Sequence, residues 1–247
     1  MGSPAVVDLT RTAAMIFDTD GVITDTARVH AAAWQRVFDA FLRDLPGQRP
    51  FDPVTDYLRH VDGRSRIDGV RCFLESRGIP ADPDTVADLA AHKDAAFLAA
   101  IHEHGVTPFP TTLALVRELR ARGVRTAVVS ASRNCAEVLR AAGAHGLFDV
   151  RVDGVDAARL KLPGKPDPAL FLEATRRLGT APGETAIVED AIAGVTAGRR
   201  GGFGLVVGVD RHGDGAALRD AGADIVVTDL ADLRLHGRRD APLAPRL

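Results

Sequence analysis

The chain has 247 residues, of which 46% are hydrophobic and 26% charged, a composition that excludes disordered and collagen-like proteins. Its 31 basic and 33 acidic residues give a net charge of −2 without a dominant charged block, so bulk electrostatic attraction to nucleic acid or to an anionic membrane is not expected. Cys72 and Cys135 form no CxxC pair, and because no long apolar run or secretory leader is found, we expect a soluble cytoplasmic protein.

Five short apolar runs predict strands buried in a parallel sheet. The first covers residues 13–17 and ends abruptly at Asp18. The others follow in the second half of the chain, at 126–129, 185–188, 204–209 and 225–228. Segments of helical period that end at a glycine, the expected helix stop, lie between them at 111–122, 134–142 and 169–178. This alternation predicts an α/β fold, a Rossmann-like parallel sheet with helices on both faces.

Residues 27–106 interrupt this alternation with helical patterns alone. Three stretches read as amphipathic helices without a convincing strand between them, at 28–45, 64–77 and 84–103. The simplest organisation is a helical cap domain inserted after the first strand. We therefore expect three parts: an α/β catalytic core at 12–26 and 107–235, the helical cap at 27–106, and a loose tail at 236–247.

The strongest functional signal is the run FDTDGVITDT at residues 17–26. It places Asp18 and Asp20 just beyond a predicted strand, where ligands bind in open α/β sheets. Two acids within one turn can bind a hard cation, and one can attack phosphorus while the other handles a proton. The alternative is a simple turn, because Asp and Gly favour turns. An EF-hand is a poor alternative, since the closing Glu is absent.

Three more polar clusters follow along the chain, and two of them come directly after predicted strands. Ser130 lies in VVSASRN (128–134), where a helix start can bind phosphate or Ser130 can simply cap the helix. Lys165 lies between a glycine and a proline and is either a partner for phosphate oxygens or a solvated loop lysine. Glu189 and Asp190 can complete a cation site, although Asp190 is also suited to capping the next helix. Taken together along one edge of the sheet, the clusters indicate a single site.

The order of these clusters resembles the motifs of the haloacid dehalogenase superfamily of phosphotransferases, and the likeness covers nearly the whole chain. The helical insert is similar to the cap of that superfamily. A closer similarity, to the β-phosphoglucomutase-like subfamily, is carried by three runs: DGVITDTARVHAAAW at 20–34, VDGRSR at 61–66 and SASRN at 130–134.

The resemblance implies a role for each matching residue. It makes Asp18 the nucleophile that becomes an aspartyl phosphate and Asp20 the general acid and base. Ser130 and Lys165 are expected to hold the transferring phosphoryl group. The implied cofactor is Mg²⁺, with ligands from Asp18, the backbone carbonyl of Asp20, and Asp190 with Glu189 nearby. The implied substrate-binding residues are Thr26, His30, Trp34, Gly63, Arg66, Lys93, Ser130, Ala131, Ser132, Arg133 and Asn134.

Four of these substrate-binding residues have interpretations of their own. Thr26 and His30 lie four residues apart on one helix face, from which they could hold Asp20 away from the site until the cap closes. The alternative for His30 is a surface histidine. Trp34 falls on the same face, and core packing is the leading interpretation for it. Arg66 suits a distal phosphate, because its planar guanidinium gives paired hydrogen bonds.

By resemblance, the activity is that of a phosphotransferase of carbohydrate metabolism. The leading hypothesis is Mg²⁺-dependent interconversion of β-glucose 1-phosphate and glucose 6-phosphate through glucose 1,6-bisphosphate. The first alternative is a phosphatase of the same superfamily that hydrolyses a small sugar phosphate. The second is a catalytically silent sugar-phosphate-binding protein, against which the intact Asp18, Asp20 and Lys165 argue. A small sugar phosphate is the expected partner of a monomer, without nucleic acid or membrane.

Overall fold

Parallel strands form the centre of the molecule, in a computed structural model that describes residues 5–238. The strands are β1 (Ala5–Asp8), β2 (Ala14–Asp18), β3 (Arg125–Val129), β4 (Val150–Val152), β5 (Thr185–Glu189), β6 (Leu205–Val209), β7 (Ile225–Val227) and β8 (Leu233–His236). Six of them make one parallel sheet in the order β4-β3-β2-β5-β6-β7. The chain runs outward from β2 to β3 and β4 and then returns to the other side of β2. This reversal places a ligand-binding crevice at the carboxyl ends of β2 and β5.

Helices cover both faces of this sheet. The stretch of chain that connects β2 to β3 is also helical. The helices are α1 (Ala27–Leu42), α2 (Arg66–Ser76), α3 (Pro83–His104), α4 (Pro110–Ala121), α5 (Cys135–Ala141), α6 (Gly154–Leu160), α7 (Ala169–Leu178), α8 (Ile192–Arg200) and α9 (Gly215–Asp220). Successive side chains of a strand point to opposite faces. Accordingly, Met15 and Phe17 of β2 pack with α4 and α5, whereas Ala14 and Ile16 pack with α7 and α8. The Rossmann-like α/β fold expected from the sequence is confirmed.

The segment between β2 and β3 has a hydrophobic core of its own. Its elements are α1, a π-helical turn at Tyr57–Val61, α2 and α3. The ring centroid of Phe38 lies 4.0 Å from that of Phe73 and 5.2 Å from that of Phe51. A second, smaller cluster joins Phe97 of α3 to Val138 of α5. The separate core supports our proposal that residues 27–106 form a cap domain seated on the α/β core.

The sequence patterns missed several short elements, although β7, which also has only three residues, was predicted from the apolar run at 225–228. Three strands of three or four residues, β1, β4 and β8, are too short to show a period. The short helices α6 and α9 and the π-helical turn were missed for the same reason. Most of the predicted tail, 239–247, lies outside the described residues, but His236 is not in a loose tail, since it ends β8 and pairs with Asp8 of β1. Among residues 5–238, no helix has the length and apolar character needed to cross a membrane.

Candidate active site

The four predicted clusters converge at the carboxyl edge of the sheet. Asp18 is the last residue of β2, Ser130 follows β3, and Glu189 is the last residue of β5. Because these strands are parallel neighbours, their carboxyl ends meet at the same edge. Lys165 reaches this edge from the loop before α7 and is fully buried there. The structure thus brings together the residues that the sequence assigned to one site.

Lys165 and Asp18 form a buried ion pair at the centre of this edge. The Lys165 ammonium contacts Oδ1 of Asp18 and Oε1 of Glu189. The backbone N–H of Asp20 donates to the other oxygen, Oδ2, of Asp18 at 2.8 Å. Burial lowers the pKa of Lys165, but the charges of Asp18 and Glu189 outweigh it, and the net pKa is raised. Lys165 is therefore a permanent positive charge beside a carboxylate that is held at both oxygens.

Asp18, Glu189 and Asp190 form an acidic cluster that could hold a metal ion. Each offers a carboxylate oxygen, and the three atoms lie within 4.8 Å of one another. Burial and the neighbouring acids raise the pKa of both Asp18 and Asp190 well above the ordinary value. A divalent cation would relieve this repulsion, and carboxylate oxygens are ligands that Mg²⁺ accepts. The donor set therefore fits a hard cation.

Gly21 shapes the space that the Asp190 carboxylate occupies. Its φ of +79° is left-handed, and a Cβ placed on it would lie 1.7 Å from Oδ2 of Asp190. Glycine is thus required both by the backbone and by the close approach of the acid. Arg211 Nε donates to the Gly21 carbonyl at 2.7 Å and so fixes the loop. The DxDG sequence therefore builds a cradle for Asp190 as well as a turn.

The side chain of Asp20 does not join the acidic cluster. Its Oδ1 accepts a hydrogen bond from the Thr26 hydroxyl and lies 3.2 Å from Nε2 of His30. The Nδ1 of His30 lies 2.5 Å from Nζ of Lys93, on α3. An ionised carboxylate can only accept, so Nε2–H of His30 donates to Asp20, and Nδ1 of the neutral ring accepts from Lys93. The backbone carbonyl of Asp20, which the resemblance implied as a metal ligand, stays a prediction.

Burial and the contacts between neighbours together set the charge of each group from Lys93 to Asp20. Burial lowers the pKa of Lys93 to about 7, and it also lowers the pKa of His30, which Lys93 lowers further. Burial alone would raise the pKa of Asp20, but His30 and Thr26 outweigh it and lower that pKa to about 2. The structure therefore holds Asp20 ionised and His30 neutral at neutral pH.

The predicted phosphate loop follows β3 in a tight turn. The Ser130 hydroxyl is buried and accepts from the backbone N–H of Ser132 at 3.1 Å, and the Ser132 hydroxyl accepts from the N–H of Asn134 at 3.1 Å. Ala131, Ser132 and Asn134 line the cavity that contains Asp18. Arg133 does not, because it faces a neighbouring groove between α2 and α6. The loop brings polar groups to the cavity from one turn of backbone.

Cap residues close the opposite wall of the cavity. The lining includes five residues that the resemblance assigned to substrate: His30, Trp34, Gly63, Arg66 and Lys93. Gly63 has φ +67°, and a Cβ on it would lie 2.9 Å from Cβ of Ala191 in the core. Trp34 stacks on Phe38 with ring centroids 5.0 Å apart, so it packs the cap core as well as lining the cavity. The loop at 61–66 thus lies directly against the core beside the acidic cluster.

Sequence reasoning did not assign three polar side chains that also line the cavity: Tyr57, Asp62 and Arg64. Burial, reinforced by the charge of Glu189, raises the pKa of Asp62 to about 7. Asp62 and Arg64 belong to the run VDGRSR that the resemblance had singled out, so their position in that loop was an available signal. Tyr57 lies in the π-helical turn, for which no pattern was present.

Comparisons with known proteins agree with this geometry. The haloacid dehalogenase-like hydrolase family matches residues 12–202. The β-phosphoglucomutase of Mycobacterium bovis is 43% identical over 237 residues, which cover 89% of this chain and 90% of the relative. A crystal structure of β-phosphoglucomutase from Clostridium difficile, 26% identical, superposes with a TM-score of 0.76 over 90% of this chain and 93% of that one.

A phosphatase is also among the similar proteins. The validoxylamine A 7'-phosphate phosphatase of Streptomyces hygroscopicus subsp. limoneus is 28% identical over 229 residues, which cover 89% of this chain and 94% of the relative. The similar proteins therefore include both a mutase and a phosphatase. Taken with the match over residues 12–202, they show that the chain belongs to the haloacid dehalogenase-like hydrolase family, in its β-phosphoglucomutase-like subfamily.

Proposed function

We propose that the protein is a Mg²⁺-dependent β-phosphoglucomutase, which converts β-D-glucose 1-phosphate to glucose 6-phosphate through an aspartyl phosphate on Asp18. The observation that carries the proposal is the chain of contacts from Lys93 through His30 to Asp20. It ties the candidate acid–base residue to the cap, so the position of Asp20 can depend on cap closure over the sugar. A mutase needs this dependence, because water otherwise takes the phosphoryl group. The likeness to the mycobacterial mutase supports the same activity.

The residues around Asp18 are suited to phosphoryl transfer. An oxygen of the Asp18 carboxylate attacks phosphorus in line, and the covalent intermediate forms as the bond from phosphorus to the sugar oxygen breaks. Lys165, which contacts the same carboxylate, offsets negative charge on the phosphoryl oxygens, and the Ser130 loop donates to them. Mg²⁺, held by Asp18, Asp190 and the Asp20 carbonyl with Glu189 nearby, would reduce the repulsion between carboxylate and phosphate.

Asp20 moves the proton in both halves of the proposed reaction. In the first half, the bond from Asp18 to phosphorus breaks as the sugar O6 bonds to phosphorus, and Asp20 accepts the O6 proton. The resulting glucose 1,6-bisphosphate turns over in the cavity. Asp18 then attacks the phosphorus at C1, and Asp20 returns the proton to the departing O1. The products are glucose 6-phosphate and a phosphorylated Asp18, ready for the next cycle.

The second candidate function is hydrolysis of a small sugar phosphate. It is favoured by the similarity to a phosphatase and differs only in the acceptor, which is water instead of a sugar hydroxyl. A catalytically silent binding protein is disfavoured, since it has no need for the buried pair of Asp18 and Lys165 beside the acidic cluster. That the protein is a cytoplasmic monomer with a sugar phosphate as its partner stays a prediction.

One assay separates the two enzymatic functions. Purified protein with Mg²⁺, β-glucose 1-phosphate and a trace of glucose 1,6-bisphosphate is coupled to a glucose 6-phosphate readout, and free phosphate is followed in parallel. The mutase proposal expects glucose 6-phosphate to form with little phosphate. Phosphate release without glucose 6-phosphate would reject the mutase and support the hydrolase. Asp18→Asn is the control and should lose both outputs.

A further inference from the structure

Asp94, on the cap helix α3, links two residues that the resemblance assigned to substrate. Its Oδ1 lies 2.6 Å from Nη1 of Arg66 and accepts a hydrogen bond from Nδ2 of Asn134 at 2.7 Å. Arg66 begins α2 in the cap, whereas Asn134 ends the phosphate loop of the core, just before α5. One carboxylate oxygen therefore joins cap and core directly beside the cavity.

The arrangement leaves the binding edge of Arg66 available. Arg66 uses Nη1 both for Asp94 and for the Ala90 carbonyl, which lies 3.4 Å away on α3. The side chain is 17% exposed and lines the cavity, so the rest of its planar guanidinium can face a ligand there. A guanidinium fixed at one nitrogen loses less conformational freedom when it binds an oxyanion through the others. The ion pair thus orients Arg66 through Nη1 and leaves the rest of the guanidinium available to a ligand.

Asp94 is held ionised by the residues that it orients. Partial burial raises its pKa, but the hydrogen bonds from Arg66 and Asn134 outweigh burial and lower it below the ordinary value. Its neighbour Lys93 contacts His30 instead. Asp94 itself faces the neighbouring groove and does not line the cavity with Asp18.

We propose that Asp94 is a positioning residue that holds Arg66 and Asn134 together as a receptor for a second phosphate group, distant from Asp18. The proposal rests on the proposed function, since it takes a sugar bisphosphate as the ligand. In this proposal Asp94 favours ligands with two phosphate groups although it does not contact the ligand itself. Without Asp94, both donors lose their common anchor, and the cap and the phosphate loop lose a direct link. Affinity should then fall for ligands with two phosphates and not for those with one.

The experiment measures binding without turnover, in an Asp18→Asn background that cannot form the covalent intermediate. Calorimetry gives dissociation constants for glucose 1,6-bisphosphate and for inorganic phosphate. We expect Asp94→Ala to weaken the bisphosphate by about tenfold or more, because it removes charge-assisted hydrogen bonds. Inorganic phosphate should bind as before. Asp94→Asn keeps an acceptor oxygen and should weaken the bisphosphate less.

Asp88→Asn is the matched control, because Asp88 is on the same helix and its exposed side chain pairs with the exposed His92 at 3.3 Å. It should bind both ligands as the parent does. An unchanged or tighter bisphosphate affinity in Asp94→Ala would overturn the proposal, as would equal weakening of both ligands or no bisphosphate binding by the parent. Failure of the proposed function is distinct: the Asp18→Asn protein binds bisphosphate with the expected dependence on Asp94, yet the wild type forms no glucose 6-phosphate.

Discussion

The Nε2 atom of His30 lies 3.2 Å from Oδ1 of Asp20, and this contact joins the cap to the core at the candidate active site. The same carboxylate oxygen accepts a hydrogen bond from Thr26. Although burial opposes ionisation, the two partners lower the pKa of Asp20 to about 2. Asp20 must therefore exchange these contacts for substrate before it can donate a proton.

Replacing Asp20 should slow the reaction of substrates whose leaving group needs a proton more than that of substrates whose leaving group departs as an anion. For Asp20→Asn we expect kcat on a sugar phosphate to fall by about 10²–10⁴-fold, because the sugar oxygen leaves only with a proton. The burst of p-nitrophenolate from p-nitrophenyl phosphate should fall far less, since that group leaves as an anion. Steady-state and burst kinetics check this. Asp25→Asn is the control, since the Asp25 side chain is 27% exposed and pairs with Arg28. Equal losses on both substrates would contradict the acid role of Asp20.

Lys93 should make the free energy of unfolding depend on pH between about 7 and 10.5. Burial lowers its pKa from 10.5 to about 7, so between these values the unfolded chain binds more protons than the folded one. The free energy of unfolding should therefore rise with pH across that window, relative to the Lys93→Met variant. Denaturant titrations at about pH 7 and about pH 10 measure the difference. Parallel changes in the two proteins would show that Lys93 carries no burial penalty.

At neutral pH, Lys93→Met should be more stable than the wild type and less active. Stability should rise because the variant removes a buried charge, while loss of the contact with His30 removes the tie to Asp20. Thermal unfolding and sugar-phosphate turnover, measured on the same preparation, test the two halves. A variant that gained stability and kept full mutase activity would remove Lys93 from the proposed control of Asp20.

Magnesium should stabilise the protein through the acidic cluster. A cation that binds only the folded state raises the melting temperature by mass action. We expect Mg²⁺ to raise the melting temperature of the wild type and to have little effect on Asp190→Asn. In chelator, Asp190→Asn should be at least as stable as the wild type, because it removes one of the repelling acids. Asp220→Asn, exposed at the end of α9, should respond like the wild type. An equal response of all three proteins would place the cation elsewhere.

Gly21 offers a test of the cradle around Asp190. Gly21→Ala should abolish Mg²⁺-dependent turnover, because its Cβ would lie 1.7 Å from Oδ2 of Asp190. Gly47 is the matched control, since it has nearly the same φ, +78°, with nothing within 4 Å of an added Cβ. Both variants should lose about 1–2 kcal/mol of stability to the left-handed backbone, but only Gly21→Ala should lose activity. Full activity in Gly21→Ala would contradict the cradle.

The sequence predicted the core of this site because its residues follow buried strands. Asp18, Ser130 and Glu189 each stand at the end of an apolar run, and parallel pairing brings such ends together. Contacts made across the cap could not be predicted in this way. Asp94 has no strand or turn signal, and its meeting with Asn134 depends on how α3 packs on the core. The pairing of β1 with β8 likewise joins opposite ends of the chain and has no local signature.

The most direct test of the account is to find where the phosphoryl group is carried. The protein is mixed with Mg²⁺ and glucose 1,6-bisphosphate, quenched in acid, digested and analysed by mass spectrometry. We expect one added phosphoryl group on the peptide that contains Asp18, with none in Asp18→Asn. A wild-type protein that turns over sugar phosphate while the group is found on another residue, or while Asp18→Asn keeps its activity, would contradict the account.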